Sequence, residues 1–462
     1  MSRRWSPAWT TCTSPGCSRC STRSTSTCVL QREPIVPVSE LDAWLYGTRV
    51  ARFVGRSSPR GTHRVDLDWD AGAVARWGYG ARVLSHLLPM DPDSPPPSPR
   101  VTAWLDGLMP EGRVRDSMAM EAGVDPEDSV GFFAAYGGDT VGALLLVPPG
   151  LTPTPASRPA VHVDESGVAS LLRESLARAG GHGRSRHLTS SLPGMEPKIG
   201  LVRDDRGWLR ASPTQPTTHI LKVAREAGSP TADLVDTEAA ALDLARRVGL
   251  TTIGAEVATF EDVRAIVVSR YDRVPDPAAP GGQRRVHQED AAQALGINTR
   301  DPERKFQHGR ALPSLARIAR VLRDDGARPD PLLALTTLNL AVGNTDAHAK
   351  NVSMLRRADG TVALAPAYDV SMHLHHAHAS RVFAMDVSGE RDMDRITAEH
   401  LVDEGVSWGL PRRRALRAVT ATLDGLRTGL EEIDRDAHPG VGTEAWRTVE
   451  DRTDALRADL PA

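Results

Sequence analysis

"GNTDAHAKN", Gly343 to Asn351, crowds Asp346, His348, Lys350 and Asn351 between two apolar stretches, "TLNLAV" before and "VSML" after. Asp346 and Asn351 form a D-x4-N pair. A second carboxylate, Asp369 in "APAYDVS", lies eighteen positions after Asn351 across a predicted hairpin, "SMLRRADGTVALAP". Taken alone, D-x4-N is a common helix cap or solvated loop, and His348 reads equally well as a core histidine. The order of the neighbouring elements decides between a turn, a metal site and a catalytic loop.

Protein kinases use this arithmetic. A loop Asp accepts the proton of the substrate hydroxyl, an Asn five positions on binds Mg²⁺, and a second Asp after a hairpin binds the metal that bridges the phosphates. Carboxylate and amide oxygens are suitable hard ligands for that ion. Such a site also needs a cation from a strand-rich lobe. Lys222, late in the apolar strand "THILKVA", has that place, and Glu238 on the next predicted helix is its candidate ion-pair partner. The alternative for Glu238 is an ordinary acid in the first helical turn, with Asp236 as the cap and Gly249 as the stop. Phosphates need a backbone cradle, and "SSLPGMEPK" at 190–198 offers Gly194 and Lys198. It matches neither phosphate-loop pattern, G-x4-G-K-[ST] or G-x-G-x-x-G, and by itself reads as a turn.

Of 56 basic residues only four are lysines, Lys198, Lys222, Lys305 and Lys350. Arg serves almost everywhere else, so the retained lysines mark places that need a compact point charge. The formal net charge of -3 over 462 residues excludes a protein that coats nucleic acid by itself. The longest apolar run, "VGALLLV" at 141–147, is strand-sized and too short to span a membrane. All four cysteines, Cys12, Cys17, Cys20 and Cys28, lie in a Ser/Thr-rich head without apolar periodicity. Residues 1–35 therefore read as a disordered extension or a mis-assigned start, with a zinc site as the sharper alternative. A cysteine-free body fits a reducing cytoplasm.

Alternating patterns predict strands in "ELDAWLYGTRVARFVG" and "RVDLDWD", with helices interrupted at "MPEG", for a first unit over 39–149. The Pro-rich "PPGLTPTPASRP" is a linker. A strand-rich lobe over 160–275 comes next, with a hairpin turning at "DDRG" and two strands in "AEVATFEDVRAIVVSRYDR"; a helical lobe over 285–460 ends the chain. The fold class is α+β, a protein-kinase-like two-lobed fold with an N-terminal β-rich subdomain and an all-helical C-terminal lobe.

These residues resemble the HipA-type serine/threonine kinases of bacterial toxin–antitoxin modules. "GNTDAHAKNVSML" with "LAPAYDVS", "VHQEDAAQALGI", "KFQHGRALPSL", "PTTHILKV", "SRYDR", "LMPEGRVR" and "GGDTVGALLLVP" carry the likeness. The resemblance implies Asp346 as catalytic base, Asn351 and Asp369 as Mg²⁺ ligands, and Lys222 on an ATP phosphate. It implies Pro193, Gly194, Met195, Glu196, Pro197 and Lys198 as a phosphate loop. It further implies Ser269, Arg270 and Tyr271 along the adenine, with His348, Lys350 and Tyr368 completing the nucleotide site. Ser191 matches the serine that the family autophosphorylates; a phosphate there would repel ATP. Family substrates are translation proteins, typically an aminoacyl-tRNA synthetase. The partner is a small HipB-like helix-turn-helix antitoxin, so DNA is reached only indirectly, and no membrane is involved.

Pro193 and Glu196 depart from the family's usual residues, and Glu196 sets a negative charge beside the phosphates. That departure motivates a second reading, a catalytically weak kinase-fold corepressor that works by binding an antitoxin. The "HLHHAH" cluster, His373 to His378, raises a third, a His-rich metallohydrolase, but no acidic partner stands at H-E-x-x-H spacing.

Overall fold

The structure is a computed structural model that describes residues 11–12, 28–29, 39–57, 63–153, 161–180, 192–212, 215–308 and 313–460. Two units emerge, Met1–Val38 and Ser39–Ala462. In the first, Thr11–Cys12 pairs antiparallel with Cys28–Val29. Cys17, Cys20 and the rest of the 1–35 reading lie outside the described residues, and so does Ser191.

The second unit begins with β1 (Glu40–Leu45), β2 (Thr48–Ser57) and β3 (His63–Trp69). Tyr46 and Gly47 link the first two strands with φ of 52° and 75°. Positive φ at both central residues is what a tight hairpin turn requires. Four helices come next, α1 (Ala71–Trp77), α2 (Ser98–Asp106), α3 (Gly112–Ala122) and α4 (Ser129–Tyr136), then β4 (Leu145–Val147). The sheet order is β3-β2-β1-β4. Leu41, Phe53 and Leu67 are buried on this sheet, and Trp104 of α2 stacks on Phe53.

A six-stranded antiparallel sheet occupies the middle of the chain. Its elements are β5 (His162–Val163), α5 (Glu165–Ala179), β6 (Lys198–Asp204), β7 (Gly207–Leu209), β8 (His219–Val223), α6 (Leu234–Arg247), β9 (Ala255–Phe260) and β10 (Val263–Ser269). The order is β9-β10-β8-β6-β7-β5. Helix α6 starts two residues before the predicted cap. Asp236 thus lies inside its first turn, paired with Arg264, and Glu238 falls further in.

The remainder contains β11 (Arg273–Pro275), β12 (Gln283–Arg285), β13 (His287–Asp290), α7 (Ala291–Ala294), α8 (Leu315–Asp324), α9 (Asp330–Ala341), β14 (Ser353–Arg356), β15 (Val362–Leu364), β16 (Val382–Val387), β17 (Glu390–Asp392), α10 (Ala398–Ser407), α11 (Arg412–Glu432) and α12 (Thr443–Ala458). This lobe is mainly helical rather than all-helical. The predicted hairpin is present as β14–β15, and "HQED", read as helical, is strand β13 beside β14. Helix α9 is buried nearly all round, as its apolar composition demands. Its Thr336, Thr337 and Asn339 satisfy their polar groups on the backbone carbonyls of Leu332, Leu333 and Leu335.

The segment leaving β10 is locked to the β1–β4 region. Arg270 donates to both oxygens of Asp272, at 2.9 and 2.7 Å, and the Gly142 amide donates to Asp272 at 2.7 Å. Burial opposes the Asp272 charge, but Arg270 and Arg273 outweigh it and hold the carboxyl well below the usual range. A folded-state value below the unfolded one contributes stability that is complete above the unfolded value of about 4 and is lost as pH falls further. Asp272→Asn leaves buried guanidinium groups unpaired. It is expected to lower stability by about 3–5 kcal/mol at pH 7 and to flatten the acid limb, as read from urea midpoints between pH 7 and pH 3.

Candidate active site

Helix α9 delivers the loop that carries Asp346. The chain turns at Gly343 with φ of 75°, where a Cβ would stand 3.2 Å from the Leu374 side chain, so only glycine fits without strain. Asn344 then braces the turn. Its Nδ2 donates to Asn339 Oδ1 at 2.7 Å, and its own Oδ1 accepts from the Asp346 amide at 3.0 Å. Asn351 Nδ2 donates to the Asp346 carbonyl at 2.8 Å, which leaves the Asn351 amide oxygen as the atom able to meet a cation.

The Asp346 carboxylate opens on the cleft with 51% of its side chain exposed. Its surroundings push it up to about 7: desolvation by the cleft walls leads, Lys305 opposes, and Asp369, Glu196 and Glu111 add to the rise. His348 lies behind it, 4% exposed, with Nε2 3.8 Å from Asp346 Oδ1 and its ring edge-on to Phe306. Burial and Lys305 push this imidazole down to about 3, so it is neutral.

Opposite stands Lys222 of β8. Its Nζ donates to Glu238 Oε1 of α6 at 2.7 Å and to Asp369 Oδ1. Burial works against the charge, but Asp369 and Glu238 more than compensate, and the ammonium is held protonated. Burial likewise opposes ionisation of Asp369, yet Lys222 and Lys198 keep it charged. Glu238, more deeply enclosed and near Asp369, is pushed up to about 7 despite Lys222. Asp369 has φ of 56°, a left-handed conformation that Asp adopts more readily than most residues. Such strain persists where surrounding contacts impose it, and the Lys222 pair is one such contact.

Lys198 and Lys222 are directly opposite on β6 and β8. Like charges at such a position destabilise a sheet. Burial and Lys222 accordingly depress the Lys198 pKa. Carboxylates offset the repulsion here, and an anionic ligand would do the same. Lys198 Nζ also donates to the Pro193 carbonyl at 2.8 Å, closing 193–198 into a loop. Gly194 in this loop has φ of 108° and accepts at its carbonyl from the Glu111 amide at 3.2 Å. Met195 is exposed, Pro197 accepts from the Val223 amide, and Glu196 lies 3.6 Å from Arg225.

The model of the HipA-like C-terminal domain matches residues 190–429, and that of the HipA N-terminal domain matches residues 41–147. The chain belongs to the HipA family of protein kinases. The protein Y4mE of Sinorhizobium fredii, a putative kinase by name, is 33% identical over 346 residues, 71% of this chain and 79% of its own length. The serine/threonine-protein kinase toxin HipA of Shewanella oneidensis is 27% identical over 373 residues, 77% of this chain and 82% of its own. In the solved complex of the Shewanella oneidensis toxin–antitoxin proteins HipA and HipB with operator DNA, a chain matches with a TM-score of 0.70 at 21% identity. That match covers 91% of this chain and 96% of the other, and it shows the HipA fold.

Against that fold, two sequence expectations are corrected. In this HipA chain the guanidinium of Arg270 is buried and fully taken up by Asp272, Thr217 and the Thr140 carbonyl. Its side chain therefore braces the hinge and is not free to line a nucleotide pocket. Lys350 is likewise buried, donating to the Gly107 carbonyl and Asp290 at 3.0 Å each. It ties the Asp346 loop to the turn after α2 and has no charge to offer a phosphate. Ser269 Oγ accepts from the Gly254 amide at 2.8 Å, and the Tyr271 ring packs 5.3 Å from that of Tyr368. Tyr368 OH donates to the Lys350 carbonyl at 2.7 Å.

Two residues were not foreseen. Glu111, from the "MPEG" break, accepts from Lys305 Nζ at 3.2 Å and lies 3.9 Å from Lys350. It thereby ties the start of α3 to the neighbourhood of Asp346. Asp290 at the end of β13 neutralises Lys350. Three of the four lysines, Lys198, Lys222 and Lys305, act on the carboxylates Asp369 and Asp346, whereas Lys350 is taken up by Asp290.

Proposed function

We propose that this kinase uses ATP and Mg²⁺ to phosphorylate a serine or threonine hydroxyl of a protein partner. One observation carries the reading: Lys222 joins Glu238 and Asp369, and Asp369 lies near enough to the braced Asp346 turn to help raise the Asp346 pKa. The oxygen donors fit Mg²⁺ better than a softer metal. Asn351 and Asp369 would hold it, and it would neutralise phosphate charge. Lys222 and Lys198 place ammonium groups toward the phosphates, and the 193–198 loop lends its backbone. Ser269, Tyr271 and Tyr368 offer walls to the adenine. The acceptor oxygen bonds to the γ-phosphorus as its bond to the β–γ bridging oxygen breaks, ADP departs, and Asp346 takes the hydroxyl proton. His348, buried and neutral, lies 3.8 Å from that carboxylate.

In this reading the three parts are residues 39–149, 160–275 and 285–460. The chain acts in the cytoplasm as the toxin of a toxin–antitoxin pair. An aminoacyl-tRNA synthetase is the substrate, a small helix-turn-helix antitoxin the partner, and DNA is reached only through it. Ser191 is the autophosphorylation candidate, at the edge of the described loop. Among the described residues no helix is long and apolar enough to cross a membrane.

Glu196 favours a second reading, the catalytically weak corepressor, because its charge faces the same cleft as Asp346 and Glu238. Its exposed pairing with Arg225 compensates only slightly. Incubation with γ-labelled ATP, Mg²⁺ and cell extract separates the two. Label on serine or threonine of a protein supports the kinase reading. Tight antitoxin binding without label supports the corepressor.

A further inference from the structure

The "HLHHAH" run does find an acid, from far away in sequence. His375 Nε2 and His376 Nε2 lie 2.7 and 2.8 Å from the two oxygens of Asp233, the residue that precedes α6. The three donor atoms lie within 4.8 Å of one another. The imidazole side chains are 9% and 12% exposed and Asp233 27%.

The two rings are 3.9 Å apart and share the one carboxylate. Both Nε2 atoms face the Asp233 carboxylate, and His375 Nδ1 is a buried atom without a hydrogen-bond partner. Two neutral imidazoles and an ionised carboxylate are a donor set for zinc, with the fourth position left to water. Bond lengths of about 2.0–2.1 Å in a tetrahedral site set donor atoms roughly 3.3 Å apart. The three donor atoms, all within 4.8 Å of one another, are close to that spacing.

We propose that Asp233, His375 and His376 bind one Zn²⁺ as a staple between the start of α6 and the segment after Asp369. The position gives the staple leverage. Helix α6 carries Glu238, and the same segment carries His373, whose Nδ1 accepts from the Thr345 amide at 3.2 Å beside Asp346. A metal here fixes α6 against the loop that bears the catalytic carboxylates, apart from the Mg²⁺ site and without any hydrolytic role.

The test uses the full chain, dialysed against chelator and then titrated with Zn²⁺ or Co²⁺ in the presence of Mg²⁺. The expected result is one bound ion per chain, with the Co²⁺ form showing the intense visible absorption of a tetrahedral site. Binding should weaken at least 100-fold in His375→Gln/His376→Gln and about tenfold or more in Asp233→Asn. Hydrogen exchange of the amides of residues 234–237 and 373–379 should slow on adding Zn²⁺ to the wild type. Co²⁺ that stays six-coordinate in the wild type, or an affinity that His375→Gln/His376→Gln leaves unchanged in a variant with native circular dichroism, overturns the proposal. The outcome is independent of phosphotransfer, because none of these readouts uses ATP.

Discussion

Asp346→Asn lowers phosphoryl transfer by about 10²–10⁴-fold, the usual contribution of a positioned general base, and leaves folding intact. The side chain is exposed on the cleft, so its replacement empties no core. Asn keeps the shape but cannot take the proton. Removing one negative charge from a cleft that also holds Asp369, Glu196 and Glu111 should leave ATP affinity equal or higher. Single-turnover transfer from labelled ATP measures the first quantity and equilibrium nucleotide binding the second. Transfer within threefold of wild type would remove Asp346 from the chemistry and favour the corepressor.

Lys222→Met has a different signature. The ammonium is 8% exposed and lies between two carboxylates. Deleting it leaves the buried Glu238 and the partly exposed Asp369 without their cation, a loss of about 3 kcal/mol, the low end for breaking a buried pair. Stability and ATP binding should both fall. Adding Glu238→Gln removes one of the stranded charges and should recover much of the stability but none of the activity. Urea midpoints and transfer rates for the single and double variants form the cycle. A double variant that regains phosphotransfer would show that Lys222 serves only the fold.

The Lys222–Glu238–Asp369 pairing and the Asp346–Asn351 turn were legible because they are written locally. Asp346 and Asn351 share one turn, Asp369 comes one hairpin later, and Lys222 and Glu238 sit on adjacent elements. The alternating strands of the first two sheets were legible for the same reason. The features that escaped depend on contacts between distant segments. Glu111 reaches Lys305 across 194 positions, and Asp233 reaches His375 across 142; neither spacing leaves a pattern in the chain. "HQED" hides its strand because its polar residues are buried. Glu289 is fully enclosed and balanced by Arg356, and Asp290 by Lys350, so the segment lacks the apolar alternation that marks a strand. Arg270 and Lys350 stand in the right motifs, but motif position does not say which way a long side chain turns. Here buried carboxylates, Asp272 and Asp290, decided that.

If Asn351, Asp369 and Lys222 converge on one metal–nucleotide complex, Mn²⁺ can report on it as a paramagnetic substitute for Mg²⁺. Titrating the chain with Mn²⁺, with and without ATP, should give one Mn²⁺·ATP bound per chain. Asp369→Asn should lower that affinity at least 100-fold, whereas His375→Gln/His376→Gln should leave it unchanged. Equal Mn²⁺·ATP affinity in wild type and Asp369→Asn, or an ATP affinity indifferent to the metal, would show that these residues do not share a metal–nucleotide site.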